Sequence, residues 1–359
     1  MGLFLIRRLG YGFLVLLGVI TLVFFLFNIL PGDPARMMLG QRADLGSVEL
    51  IRKELGLNEP IHKQYFHFLN DLSPLSLHLA HDETSIWFFD QTKYQSALPF
   101  LRFGGVVAVV KKPYLRQSYQ SKRDVGDILG EAFPMTLILA SVSMLFAMIV
   151  GVAIGIVTSI FNSSFLNRLV LVLSVFGMSL PSFFAAILMA WIFAYLLSDL
   201  TGLSMFGSLY VVDDYGRGEV LQLKNLILPA ITLGIRPLAI IVELTRTSLL
   251  DVLSQDYIRT AYAKGLKKAK VIGIHALRNA MNPVITAVSG WFASLMAGAV
   301  FVEYVFDWKG VGVVVVDALE KYDLPLIMGS VLLIAIILII INIFVDILYG
   351  VLDPRARVS

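Results

Sequence analysis

Residues 135–160 read MTLILASVSMLFAMIVGVAIGIVTSI. The run carries no charge and exceeds the roughly 18 residues that can cross a bilayer as a helix. Five further apolar runs lie at about 9–30, 169–197, 225–245, 283–302 and 326–350. The whole chain agrees with them. Its 359 residues are 57% hydrophobic and 15% charged, with a mean hydropathy of +0.80. Soluble domains carry about 25% charged residues, so a soluble chain this apolar could not cover its own surface. The expectation is an all-α integral membrane protein with six transmembrane helices. An even number of spans puts both termini on the same side.

Composition also removes whole classes of chemistry. There are no cysteines, hence no disulfide framework, thiolate metal site, iron–sulfur ligation or cysteine nucleophile. The five histidines include no pair spaced H-x3-H, which argues against metal catalysis. A net charge of +3 is too small to argue for nucleic acid. Serines, histidines and acids form no triad or paired-carboxylate pattern.

The placement of charge gives orientation. Arg7 and Arg8 precede the first run, which is too long for a signal peptide and is followed by Pro31-Gly32-Asp33-Pro34 rather than a small-residue cleavage site. It reads as an uncleaved anchor. With the N-terminus cytosolic, so are Arg168, segment 246–278 and the tail with Arg355 and Arg357. Segment 246–278 holds seven basic residues, Arg246, Arg259, Lys264, Lys267, Lys268, Lys270 and Arg278, against Asp251 and Asp256. The opposite-side loops are acidic: 199–224 has two basic residues against Asp199, Asp213, Asp214 and Glu219, and 303–325 has Lys309 and Lys321 against five acids. Stretch 31–131 is external despite twelve basic residues, because loops beyond about 60 residues escape the charge rule.

The domains expected are therefore 1–30, the N-terminal segment and first span; 31–131, external; 132–350, a five-helix core carrying a cytosolic loop at 247–282; and 351–359, a cytosolic tail. Within the external region, 47–71 reads as a helical pair broken near Asn58-Glu59-Pro60. Ile86-Trp87-Phe88-Phe89 and Val106–Val110 suggest a hairpin. Gly310–Lys321 reads as a short amphipathic external helix, with Trp308 at the membrane interface.

The cytosolic loop is the most informative element. Ser254 or Asp256 can cap a helix running from Tyr257 to Lys264. Gly265 accepts φ > 0 and turns Leu266 back. Lys264 in the last turn suits the helix dipole. A second helix is expected from Lys268 to Met281, ending at Asn282-Pro283. Ile258, Tyr262 and Leu266 share a face, so the short helix reads as a plug for another protein. Charge alone also fits simple contact with lipid headgroups.

Residue order decides between these. Asp256-Tyr257-Ile258-Arg259-Thr260-Ala261-Tyr262-Ala263-Lys264-Gly265-Leu266 resembles the loop signature E-A-A-x3-G-x9-I-x-L-P of ABC importer permeases. Arg259, Thr260 and Ala261 stand at the E-A-A positions and Gly265 at the glycine; His275 to Arg278 replace I-x-L-P. The departure is similar to the peptide/nickel branch, A-K-G-L…H-A-L-R-N-A…P, seen here as Ala263–Leu266, His275–Ala280 and Pro283. Leu5-Ile6-Arg7-Arg8, Leu30–Pro34, Leu55-Gly56-Leu57…Pro60-Ile61…Gln64-Tyr65, Ser179–Phe183 and Glu303…Val305-Phe306…Trp308…Gly310…Gly312 are similar to its first-subunit permeases, in order. The likeness is weakest at 74–112, an apparent insertion.

The resemblance implies a bacterial plasma-membrane permease for peptides or similar small solutes, working by alternating access. Its partners would be a second permease, two ATPase subunits, an extracytoplasmic solute-binding protein and membrane lipids. The loop helix would dock in an ATPase groove through Asp256, Tyr257, Ile258, Arg259, Thr260, Ala261, Tyr262, Lys264, Gly265 and Leu266. The chain has no G-x4-G-K-[ST] and no Gly-Lys dipeptide, so it would bind no cofactor itself, ATP and Mg2+ residing on the ATPases. The rivals are an ion-gradient-driven secondary transporter and a membrane scaffold without a transport role.

Polar residues inside the apolar runs mark a second site. Arg236 lies mid-run, where an arginine costs about 2.5–3.5 kcal/mol on insertion scales, and so is expected to face water or the bundle interior. It is a candidate for an anionic group of the substrate, the alternative being a structural arginine. Glu243 lies two turns on, too far for an easy pair. Pro181 with Ser179 and Ser182 could shape the cavity wall, or simply start a helix. Gly151 and Gly155 read as a helix-packing pair.

Overall fold

The structure, a computed structural model, describes residues 2–29, 35, 44–54, 56–81, 85–91, 93, 94, 97–161, 163–212, 216 and 218–352. The Pro31–Pro34 motif and the tail beyond 352 lie outside the described residues. The chain divides into two compact units.

One unit comprises Gly2–Glu131 and Val314–Ile336. It opens with α1 (Gly2–Ile29), α2 (Leu45–Glu54) and α3 (Ile61–Leu72). The expected break in the helical pair is at Pro60, whose φ of −55° suits the residue entering α3 and whose carbonyl accepts from Lys63. Tyr65, Phe68 and Leu72 recur at helical spacing and put one face of α3 against α1. The Phe24 and Phe68 rings are 5.5 Å apart, and the Tyr65 hydroxyl lies 2.6 Å from Thr21 Oγ1.

A small antiparallel sheet follows, built from β1 (Leu75–Leu79), β2 (Leu98–Phe103) and β3 (Val106–Val110) in the order β1-β3-β2. The two-residue turn Gly104-Gly105 has both φ values positive, at 54° and 84°, which only glycine adopts freely and which matches the twist of a hairpin. Val107 and Val109 bury their side chains, while Leu75, Leu77, Leu98, Leu101 and Phe103 are exposed on the other face. The Lys111 N–H donates to the Pro74 carbonyl at 3.0 Å, so the ends of the sheet segment meet. The expected hairpin therefore exists, but its partner strand is β2. Ile86–Phe89 makes only an isolated bridge, Leu79 to Phe88.

Beneath the sheet lies a buried charge cluster. Asp71 is fully buried. It accepts from the Tyr94 hydroxyl at 2.6 Å and pairs with His67 at 3.4 Å, Lys93 at 3.6 Å and Arg116 at 3.6 Å. Lys111 Nζ donates to its backbone carbonyl. Burial alone would push the Asp71 carboxyl up, but Lys93, His67, Arg116 and the Tyr94 hydroxyl outweigh it and hold the group below its ordinary value. Burial pushes both His67 and His78 down to about 4.

The second unit holds Ala132–Val313 and the chain from Ile337. Besides two single-turn helices, Ser198–Thr201 and Lys268–Lys270, the remaining described α-helices along the chain are α4 (Val125–Phe161), α5 (Ser164–Ser179), α6 (Ser182–Met189), α7 (Lys224–Leu253), α8 (Asp256–Ala263), α9 (Leu277–Gly298), α10 (Val300–Phe306), α11 (Val311–Glu320) and α12 (Leu324–Leu352). Among the described residues, five helices are long and apolar enough to span: Ile6–Phe27, Val125–Phe161, Lys224–Leu253, Lys268–Ala297 and Leu324–Val345. The pair α5 and α6 passes the same test only when taken together, bent by 110° where Leu180-Pro181 interrupts it and prolonged by a π-helical stretch, Ala190–Leu196; counted as one span it makes six. Pro181 cannot extend the α5 hydrogen-bond ladder, which is why the bend falls there. The glycine pair packs as expected: a Cβ on Gly155 would lie 2.6 Å from Thr245 Cβ, and one on Gly151 2.9 Å from Ile241 Cγ2, so both let α4 close onto α7.

Two expectations need correction. The helix after Gly265 does not stop at Asn282-Pro283. It runs from Lys268 through a π-helical stretch, Val271–Ala276, and then α9, with Pro283 inside. A proline is tolerated within a span because its neighbours can satisfy the freed carbonyl. Trp308 is not interfacial. It is fully buried, with its indole N–H donating to the Met135 carbonyl at 3.0 Å. Asp307, at a left-handed φ of 52°, folds the chain back so that this can happen. The helix after it, α11, falls within the expected Gly310–Lys321, and a short hairpin, Tyr210–Val212 with Glu219–Leu221, appears where sequence patterning showed none.

Candidate functional site

The basic loop begins where α7 ends. Ser254 turns back, its hydroxyl donating to the Asp251 carbonyl at 2.7 Å, and so does not cap the next helix. Neither does Asp256. The capping position is Gln255, extended at ψ 149°, with no side-chain cap bond. α8 runs from Asp256 to Ala263, and Gly265 follows at φ 78° with open space around its α-carbon. The Gly265 N–H donates to Tyr262 and the Leu266 N–H to Ala261, which closes the helix as glycine at this position permits.

The two faces of α8 differ from the expectation. Ile258, 1% exposed, and Ala261 are buried against Leu249, Val271, Ala276 and Ala280, with half-buried Leu266 at the edge. The apolar stripe expected to face a partner is thus turned into this chain's own bundle. The physical reason is that α8 is too short to stand alone and needs its apolar side for anchorage. Asn279 adds a tether, donating to the Tyr257 hydroxyl at 2.9 Å. Tyr262 belongs to the other face. It is exposed together with Asp256, Tyr257, Arg259, Thr260 and Lys264, and Arg259 pairs with Asp256 at 3.3 Å on this outer side.

The second site is a small, open pocket at the break between α5 and α6. Leu180 and Ser182 flank the break, Arg236 enters from α7, and Trp291 and Ser294 come from α9. Of the expected pathway residues, the structure brings Arg236 and Ser182 to this pocket, and Glu243, Ser179 and Pro181 are not in its lining. Pro181 shapes the break from outside the lining. The Ser179 hydroxyl donates to the Val175 carbonyl at 2.8 Å. Glu243 is half-buried beside Thr247, whose hydroxyl donates to the Glu243 backbone carbonyl at 2.8 Å. Sequence reading missed Trp291 and Ser294. A tryptophan in mid-run, away from the span ends where indoles usually sit, was the available signal.

Several long apolar helices, a bent apolar pair beside an arginine within one of them, and a short helix packed into the loop that follows are the arrangement of a polytopic membrane protein. Residues 151–358 match the family described as "Binding-protein-dependent transport system inner membrane component", and residues 1–81 match its N-terminal counterpart. The chain belongs to this family. It is 33% identical over 355 residues to the glutathione transport system permease protein GsiC of Escherichia coli strain K12, covering 99% of this chain and 98% of that protein. It is 34% identical over 342 residues to GsiC of Salmonella typhimurium strain LT2, covering 95% and 94%. It is 33% identical over 372 residues to the dipeptide transport system permease protein DppB of Escherichia coli strain K12, covering 99% and 98%. This chain is therefore an inner-membrane, multi-pass transport component of the peptide/nickel importer type.

Proposed function

We propose that this chain is one permease half of an ATP-driven importer for peptides or similar small solutes. Both termini and the α8 loop face the cytosol. A second permease completes the pathway, two ATPase subunits bind ATP and Mg2+, and an external solute-binding protein delivers cargo. This chain holds no cofactor of its own. The observation that carries the reading is the two-sidedness of α8. Its inner face is fixed in the bundle by Ile258 and Ala261, while its outer face offers aromatic and polar groups to a groove. Motion of the ATPase pair then reaches α7 and α9 through a rigid joint, and the spans alternate between outward and inward openings.

Copurification tests this reading. A stoichiometric ATPase and a second permease support it, whereas uptake by the chain alone in liposomes under an ion gradient rejects it. Residue variants separate docking from anchorage. Tyr262→Ala should weaken ATPase copurification and leave the melting temperature unchanged, because Tyr262 is exposed. Ile258→Ala should lower stability by about 3 kcal/mol, since it empties a filled core position. If Tyr262→Ala retained full ATPase binding, the outer face would not be the docking face.

The sheet at 75–110 is a candidate contact for the binding protein, supported by its exposed apolar face. Deleting 74–112 should weaken that contact and leave ATPase assembly intact. Unchanged affinity for the binding protein would count against it.

A further inference from the structure

We infer that the pocket at the α5–α6 break is a subsite for a carboxylate of the transported solute, and that Arg236 holds it. This rests on the importer reading and adds to it the chemistry of the cargo. Arg236 stands about 18 Å along α7 from Lys224, counted at helical rise, and so lies well within the span. It is exposed. Among the described residues it forms no ion pair, and its one hydrogen bond is a long one, from an Nη to the Met178 carbonyl at 3.5 Å. A guanidinium has five N–H donors and accepts nothing. Left bare at mid-membrane it is costly, so it belongs in a water-filled path or against an anion.

The arginine and the pocket carry the inference, and the surroundings have the same sense. No acid lines the pocket. Its other polar side chains are Thr232, whose hydroxyl is spent on the Leu228 carbonyl at 2.7 Å, and Ser182, Ser294 and the Trp291 indole, which can all donate. α6 starts at Ser182 without a side-chain cap, so its first N–H groups add partial positive charge. Leu180, Leu233 and the Trp291 ring supply apolar wall. The combination complements a carboxylate on an apolar stem, with the flat guanidinium able to take both oxygens. It is the wrong site for a bare metal cation, which would meet a fixed positive charge and no carboxylate ligand.

Chemical protection in the assembled complex tests this without the binding protein. The complex of both permeases and the ATPases, in detergent, is treated with phenylglyoxal, and Arg236 modification is followed by mass spectrometry. Saturating dialanine should slow that modification about tenfold, and dialanine amide should leave it unchanged. Reaction at equal rates with and without dialanine would overturn the subsite. So would equal protection by the amide, or an Arg236 that is unreactive from the start because an acid of the second permease covers it. In proteoliposomes supplied with binding protein, Arg236→Gln should raise the KM for dialanine about tenfold, the loss of one charge-assisted pair, with Arg236→Lys intermediate and subunit stoichiometry unchanged. If the ATPases and second permease do not copurify at all, the importer reading has failed. If they copurify and Arg236 is unprotected, only the subsite has.

Discussion

Gly312→Ala is expected to destabilise the permease by about 3 kcal/mol and to suppress uptake. Gly312 follows the turn that buries Trp308. Its N–H donates to Glu303 Oε2 at 2.6 Å, and Glu303 is itself fully buried. A Cβ at this position would fall on the Val300 α-carbon and within 2.7 Å of that carboxylate oxygen. The obstacle is backbone, so no rotamer change relieves it, and α10 must shift as a body. Shifting α10 would also disturb the bond from the Val311 N–H to Thr136 Oγ1 at 2.8 Å and that from the Trp308 indole to Met135, which fix the turn to α4. Gly290→Ala is the control, since a Cβ there meets nothing within 4 Å. Thermal melting of the detergent-solubilised complex should separate the two. Equal melting temperatures would show that the turn yields easily.

The second large effect is expected at Asp71. Asp71→Ala removes the fully buried acid that pairs with Lys93, Arg116 and His67, leaving the cations without it in a low-dielectric place. Breaking such a cluster from one side costs about 3–5 kcal/mol, enough to unfold the small region around the sheet. Hydrogen exchange across residues 56–118 reads this directly, and protection equal to the parent protein would refute it. The cluster also sets a pH response. His67 and His78 titrate near 4 when folded and near 6.5 when not, and Asp71 is likewise held low. The folded form therefore binds fewer protons than the unfolded one. The stability that the two histidines contribute is full above about 6.5 and is lost as pH drops from there toward 4, while that of Asp71 is lost below the ordinary carboxylate range. Exchange protection should decline over that window while that of α7 and α9 does not.

The spans were legible because lipid imposes length and apolarity together, as in residues 135–160. The break in the third span was not, because its two halves read as one apolar run and only Pro181 hinted at the bend. At the loop, Gly265 announced the helix end correctly, since only glycine is at ease at that φ. The direction of the apolar stripe was misjudged. Ile258 and Leu266 at helical spacing show that a face is buried, and periodicity does not say whether the cover is another protein or the same chain. Trp308 failed for a related reason. An indole near a span end suits an interface, and only the left-handed Asp307 sends it inward. Asp71 carried no sequence signal, since its partners come from as far away as Arg116.

The hydrogen bond between Lys111 and Pro74 makes the intervening segment a cassette. Its two ends sit side by side, so lengthening the segment at its exposed tip adds little closure entropy. Gene fusions can exploit this. A reporter spliced between Gly104 and Gly105, at the exposed tip of the hairpin, would be displayed on the same base.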